Sequence, residues 1–295
     1  MAITAAQVKD LREKTGAGMM DCKNALQASD GDMEKAIDWL REKGIAKSVK
    51  KAGRIAAEGL TKIVIDGNKA CLVEINSETD FVAKNDQFLK LLDNVTNTII
   101  KASPANNDEA LALNFDGKTL NDLFIEATAT IGEKIVLRRF EIITKNDDEI
   151  FGDYVHNGGA KTAVCVLKGG DADFAHHIAM QIASMTPSYV SSADLPSDVV
   201  EHERQIQTEI VKNDEKFAGK PEQVLKGAIE GKVSKALKDM CLVDQEYFLD
   251  TSKKVAQVLK ENNASVIKFV RYEVGEGLEK REDNFAEEVA KQMAA

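Results

Sequence analysis

Thr79, Asp80, Phe81 and Val82 put two oxygen-bearing side chains and a large apolar ring next to one another at a helix start. Thr79 or Asp80 can offer an oxygen to the unpaired N–H groups of a first turn. The ring then either finishes a core or is held out to work on something else. Side chains able to do covalent or metal chemistry are present but do not assemble. His176 and His177 are adjacent on an expected helix, so they diverge by about 100° and do not chelate one ion. His156 stands just before an Asn157-Gly158 turn, with no serine or cysteine placed for a triad. Cys22, Cys71, Cys165 and Cys241 are widely spaced, without CxxC or nearby histidines, and read as free thiols of a reducing compartment. There is no GxxxxGK[ST] loop, no complete GxGxxG after a strand, no HExxH and no GxSxG. Carboxylates are many but scattered. The expectation is a protein that acts by binding, with no covalent catalysis, cofactor, metal or nucleotide of its own.

The elements that position the Thr79–Val82 segment are legible around it. Cys71, Val73 and Ile75 alternate with Leu72 and Glu74, the period of a half-buried strand, and the alternation stops at Asn76 and Ser77. A helix from Asp80 follows, with Phe81, Phe88, Leu92, Val95 and Ile99 on nearly one face. Periodicity alone therefore sets Phe81 beside Phe88 in the core.

The wider pattern predicts an α+β fold. Residues 1–54 read as a three-helix module: Thr4 caps a helix to about Lys14, a second covers Met19–Gln27, and a third runs from Asp32 to Gly44. Leu11, Met19, Leu26, Ile37 and Leu40 are its expected core. The module resembles the ubiquitin-associated scaffold, a likeness of fold and not of function. A basic helix, Ala46 to Lys51, leads out. Two related halves of antiparallel sheet and helix follow, at 55–144 and at 145–187 with 241–274. The first opens on a hairpin turned at Asp66-Gly67, the second on one turned at Asn157-Gly158. Residues 188–240 read as an inserted helical hairpin broken at Gly219-Lys220-Pro221, either a solvated arm or a coiled-coil contact for a partner or second subunit. Residues 275–295 end in an amphipathic helix, Leu278 to Met293, carrying Phe285.

At 295 residues, 43% hydrophobic and 30% charged, the chain has the composition of a globular protein with several packed units. No uncharged apolar run approaches the roughly 20 residues of a membrane span, and the start lacks a signal-peptide pattern, so a cytoplasmic protein without membrane contact is expected. A net charge of −10 argues against non-specific nucleic-acid binding. Residues 1–55 are the exception, with 11 basic against 8 acidic side chains, among them Lys47, Lys50, Lys51 and Arg54. That surplus motivates a rival expectation, a ribosome-associated or nascent-chain binding module built on the helical head.

Two long segments are more specific. LREKTGAGMMDCKNAL, Leu11 to Leu26, and EINSETDFVAK, Glu74 to Lys84, resemble the signature segments of bacterial translation elongation factor Ts. IGEKI at Ile131–Ile135, HHIAMQIAS at His176–Ser184 and FVRYEVGEGLEK at Phe269–Lys280 continue the likeness across the chain. The resemblance implies a guanine-nucleotide exchange factor for elongation factor Tu, the GTPase that delivers aminoacyl-tRNA. It implies that Thr79, Asp80, Phe81 and Val82 displace magnesium, with Phe81 as the wedge and Asp80 both capping its helix and touching the partner. It further implies partner contacts at Arg12, Met19, Met20, Lys23, Ile131, Gly132, His156 and Phe285. The match is loosest at 103–119, in the inserted helices and at Tyr247-Phe248-Leu249.

Overall fold

The protein is described by a computed structural model over residues 3–15 and 17–279. It is mixed helix and antiparallel strand, an α+β fold. Two compact units divide it. One takes the chain up to Ile143, together with Asn157–Lys161 and the stretch from Tyr272; the other takes Thr144–His156 and Thr162–Arg271.

The first unit opens on α1 (Ala5–Thr15), α2 (Met19–Ala28) and α3 (Met33–Lys51), which bury Val8, Leu11, Cys22, Ala25, Leu26 and Ala36 together. Leu40 packs against this cluster, but Met19 and Ile37, expected inside it, are exposed. The third helix also does not stop at Gly44; it continues unbroken through the basic stretch to Lys51. Gly44 is buried, and a Cβ built there would lie 3.4 Å from Ala129 Cβ. The residue serves a close helix–helix approach, and its lack of a side chain was misread as a stop.

β1 (Glu58–Asp66) and β2 (Lys69–Ser77) form an antiparallel hairpin in which Asp66 faces Lys69, so the turn is Gly67-Asn68, one residue later than the Asp66-Gly67 pair suggested. Then come α4 (Asp80–Ala83), α5 (Asp86–Ala102), α6 (Asn107–Ala112), the short pair β3 (Asn114–Phe115) and β4 (Lys118–Thr119), α7 (Leu120–Ile131) and β5 (Val136–Thr144). The sheet runs β1-β2-β5. Its core joins Cys71, Val73 and Ile75 to Phe88, Leu92, Val95 and Ile99 of α5 and to Leu120 and Phe124 of α7. β2 is central and buried on both faces, so Leu72 and Glu74, given to the wet face by alternation, are buried too. The single helix expected from Asp80 is two: Asn85 accepts a hydrogen bond from the Gln87 N–H at 2.8 Å and starts α5 afresh. Further on, Asn106 caps the six-residue α6 by accepting from the Glu109 N–H at 2.9 Å.

The second unit contains β6 (Glu149–His156), β7 (Lys161–Lys168), α8 (Ala172–Met185), α9 (Ser197–Asn213), α10 (Glu222–Asp239), β8 (Glu246–Tyr247), β9 (Asp250–Lys254), α11 (Val255–Glu261) and β10 (Ser265–Glu273). Its sheet runs β10-β7-β6, so here, as in β1-β2-β5, the third strand lies beside the second strand of the hairpin. The hairpin turns at Asn157–Gly159. Ala163, Cys165 and Leu167 meet Phe174, Ile178 and Ile182 of α8 in the core. α9 and α10 pack on each other, with Val211 and Val233 buried, whereas Ile206 and Ile210 face water. The β8–β9 pair and α11 carry too few residues to show a period. Buried Gln181 holds that region: its amide donates to the Glu246 carbonyl at 3.0 Å and its oxygen accepts from the Phe248 N–H at 2.8 Å. The helix expected over Leu278 to Met293 lies, from Lys280 on, outside the described residues.

β6 lies directly under α8 at Gly152, where a Cβ would run into the carbonyl of Ala175. Gly152→Ala is expected to cost about 1–3 kcal/mol in chemical denaturation, because a helix backbone must retreat from a strand. An unchanged midpoint would show that the two elements are not in contact there.

Candidate functional site

Four residues of helix carry the candidate site. α4 begins after Thr79, whose backbone is extended at φ −131° and ψ 157°, and ends at Lys84, whose N–H reaches the Phe81 carbonyl at 3.2 Å. Within it the side chains part company. Val82 and Ala83 are buried in the core of the first unit, while Phe81 is 79% exposed, the most exposed large apolar side chain among the described residues. The stripe shared with Phe88 is broken by the restart at Asn85, and that is why periodicity and geometry disagree about the ring.

Thr79 does not cap its own helix, as the cap pattern had suggested. Its hydroxyl donates to Glu133 Oε1 at 2.7 Å, and Glu133 Oε2 accepts the N–H groups of Glu78 and Thr79 at 3.1 and 3.0 Å. Glu78 answers by accepting the Lys134 N–H at 2.7 Å, and it pairs with Arg54 at 3.2 Å. Asp80 pairs with Lys84 at 3.0 Å, and the same ammonium lies 6.0 Å from the Phe81 ring centroid. The ring therefore stands on a backbone held from below, with one cation beside it.

Other expected residues belong to the same first unit. α7 ends at Gly132, whose left-handed φ of 92° a side chain would resist, and whose carbonyl accepts from Lys51 at the end of α3. Ile131 is partly buried against the same core as Val82. Arg12 and Lys23 are exposed, as are Met19 at 59% and Met20 at 65%. Asp21 pairs with Lys47 at 2.9 Å, which ties the start of α2 to α3. Of the four cations named in the basic stretch, Lys47 and Arg54 pair with carboxylates and Lys51 donates to a carbonyl of the protein itself. A cleft of about 370 Å³ runs along the contact between α3 and α7, lined by Trp39, Gly44, Ile125 and Ala129 and by Arg41, which pairs with Asp122 at 2.8 Å.

In the second unit His156 is exposed, its Nδ1 3.0 Å from the Tyr154 hydroxyl, and the Tyr154 ring stands edge-on to His176 at 5.7 Å. Phe285 lies outside the described residues.

The geometry offers little for bond-making chemistry. Burial pushes the Cys71 thiol up to about 12 and that of Cys165 higher still, so neither is a nucleophile near neutrality. Among the described residues no group of histidines, cysteines and carboxylates could hold a metal ion. No helix among them is long and apolar enough to cross a membrane.

Sequence reasoning missed three carboxylates. Glu74, fully buried on β2, accepts Arg138 Nη1 at 2.9 Å, Arg139 Nε at 2.6 Å and the Gly275 N–H at 2.9 Å. Glu78 and Glu133 form the crossed arrangement under Phe81. Their partners lie 24 to 201 residues away in sequence, beyond any local period.

Residues 78–276 match the family described as Elongation factor TS. A protein named Elongation factor Ts from Lacticaseibacillus casei strain BL23 is 49% identical over 292 residues, covering 99% of this chain and 98% of that one. One of the same name from Lacticaseibacillus paracasei strain ATCC 334 is equally similar over the same extent.

Proposed function

The chain belongs to the elongation factor Ts family, and from that premise we propose that it is a guanine-nucleotide exchange factor for elongation factor Tu. The observation that carries the reading in this molecule is Phe81, exposed on a turn whose neighbouring residues are tied down. Exchange by such a factor needs no reacting side chain. The factor binds the nucleotide-free GTPase better than the GDP-bound form, and linkage then requires GDP to bind the complex more weakly by the same ratio. Phe81 enters between helices of the GTPase domain and disturbs the groups that hold magnesium and the phosphates, while Asp80 makes a polar contact beside it. Val82, turned inward, anchors the turn. Arg12, Met19, Met20 and Lys23 supply contacts from the helical module, and His156 supplies one from the second unit. The exposure of Met19 and Met20 supports that role, since buried methionines could not make it.

The test is release of fluorescent GDP from purified elongation factor Tu. Substoichiometric protein is expected to accelerate release catalytically, in proportion to its concentration. Unchanged release, together with salt-sensitive sedimentation on ribosomes, would overturn the reading in favour of a ribosome-binding module.

A further inference from the structure

Glu133 stands two residues beyond the end of α7, and its carboxylate takes three hydrogen bonds from a segment more than fifty residues earlier: the Glu78 N–H, the Thr79 N–H and the Thr79 hydroxyl. Glu78 in turn accepts one from the Lys134 N–H with its own carboxylate, so the two segments hold each other in both directions. A helix of four residues cannot hold its first turn by its own ladder, and the N-cap side chain of α4 makes no cap bond. What Glu133 fixes is the pair of residues leading into α4, through the N–H groups of Glu78 and Thr79 and the Thr79 hydroxyl. Hydrogen bonds to an ionised carboxylate are among the stronger ones available to a backbone turn.

We propose that Glu133 is a positioning residue for nucleotide exchange, fixing the direction in which Phe81 leaves the protein. The proposal rests on the reading of Phe81 as the element that works on the partner. The exposed ring has Lys84 beside it, so its aim is set by the backbone at Thr79 and Asp80. With Glu133 removed, Glu78 and Thr79 lose their acceptor, and the turn that follows them must be ordered at the moment of binding. That entropy is then drawn from the same contacts that would otherwise distort the partner.

The experiment is a double-mutant cycle on GDP release from elongation factor Tu, using the full chain with Phe81→Ala, Glu133→Ala and both together. Glu133→Ala is expected to slow release about tenfold when Phe81 is present and not at all when it is absent, because a mount without its ring has nothing to aim. Glu133→Gln keeps one acceptor oxygen and is expected to fall between; it replaces Glu133→Ala in the cycle if the latter does not fold. Equal slowing in both backgrounds would overturn the proposal, since it would show a role independent of the ring. A wild-type rate for both Glu133 variants beside a slow Phe81→Ala would overturn the positioning role alone. A wild-type rate for Phe81→Ala would overturn the wedge and the proposal together.

Discussion

Phe81→Ala is expected to slow GDP release from elongation factor Tu on the order of a hundredfold while leaving the stability of the protein within about 0.5 kcal/mol of wild type. The two halves of that expectation come from one number, the 79% exposure of the ring. An exposed side chain has little to lose on truncation in the free protein, because water already surrounds it. At an interface the same ring is a desolvated anchor, and truncating such an aromatic costs about 2–4 kcal/mol, of which each 1.4 kcal/mol is tenfold in rate. Phe88→Ala is the natural contrast: fully buried in the core, it is expected to cost about 3–5 kcal/mol of stability. Stopped-flow release and denaturant titration on the pair separate the cases. If Phe81→Ala proved as destabilising as Phe88→Ala, the ring would be part of the core and the periodic reading would return.

Glu74→Leu is expected to destabilise the first unit by about 3 kcal/mol. The Glu74 side chain is completely buried, and three donors converge on its two oxygens: both guanidinium groups of Arg138 and Arg139, and the backbone N–H of Gly275. Removing one member of a buried ionic cluster leaves the others uncompensated, a loss of about 3–5 kcal/mol in well-enclosed cases. Arg138 and Arg139 keep 19% and 30% of their side chains in water, which places the expected loss at the lower end. Glu74→Gln, which keeps the shape and loses the charge, is expected to cost less. Arg139 also stacks 4.1 Å from the Tyr272 ring and pairs with Glu276 at 3.4 Å, so the arginines could recruit other partners. Urea denaturation that leaves the Glu74→Leu midpoint unmoved would show that they do.

The architecture was legible where a period had room to repeat. α5 presents Phe88, Leu92, Val95 and Ile99 at helical spacing over seventeen residues, and the Asn157-Gly158 pair marked the second hairpin. Legibility failed where one residue decided. Asn85 restarts a helix without interrupting the apolar stripe, so Phe81 inherited a burial it does not have. Gly44 looks like a terminator in one dimension and is a contact in three. Glu74 obeys strand alternation perfectly, yet it is buried because Arg138, Arg139 and the chain at Gly275 close over it. For the site, the helix start and its ring were readable, but the carboxylates beneath were not, since Glu133 and Thr79 meet only after the intervening elements have folded.

α3 carries a consequence of its own. It is one helix of nineteen residues, roughly 28 Å long, with Asp21 fastened to Lys47 partway along and Gly132 and Glu78 fastened to Lys51 and Arg54 at and just past its end. Such a helix conveys phase as well as distance. One residue added between Gly44 and Lys47 would turn everything before it by about 100° and move it about 1.5 Å, carrying Met19 and Met20 around the axis while Phe81 stayed where it was. Length changes in this helix are therefore bearable only in steps near a whole turn, three or four residues at a time. The spacing between the two signature segments is in this respect an angle, written in the sequence as a count.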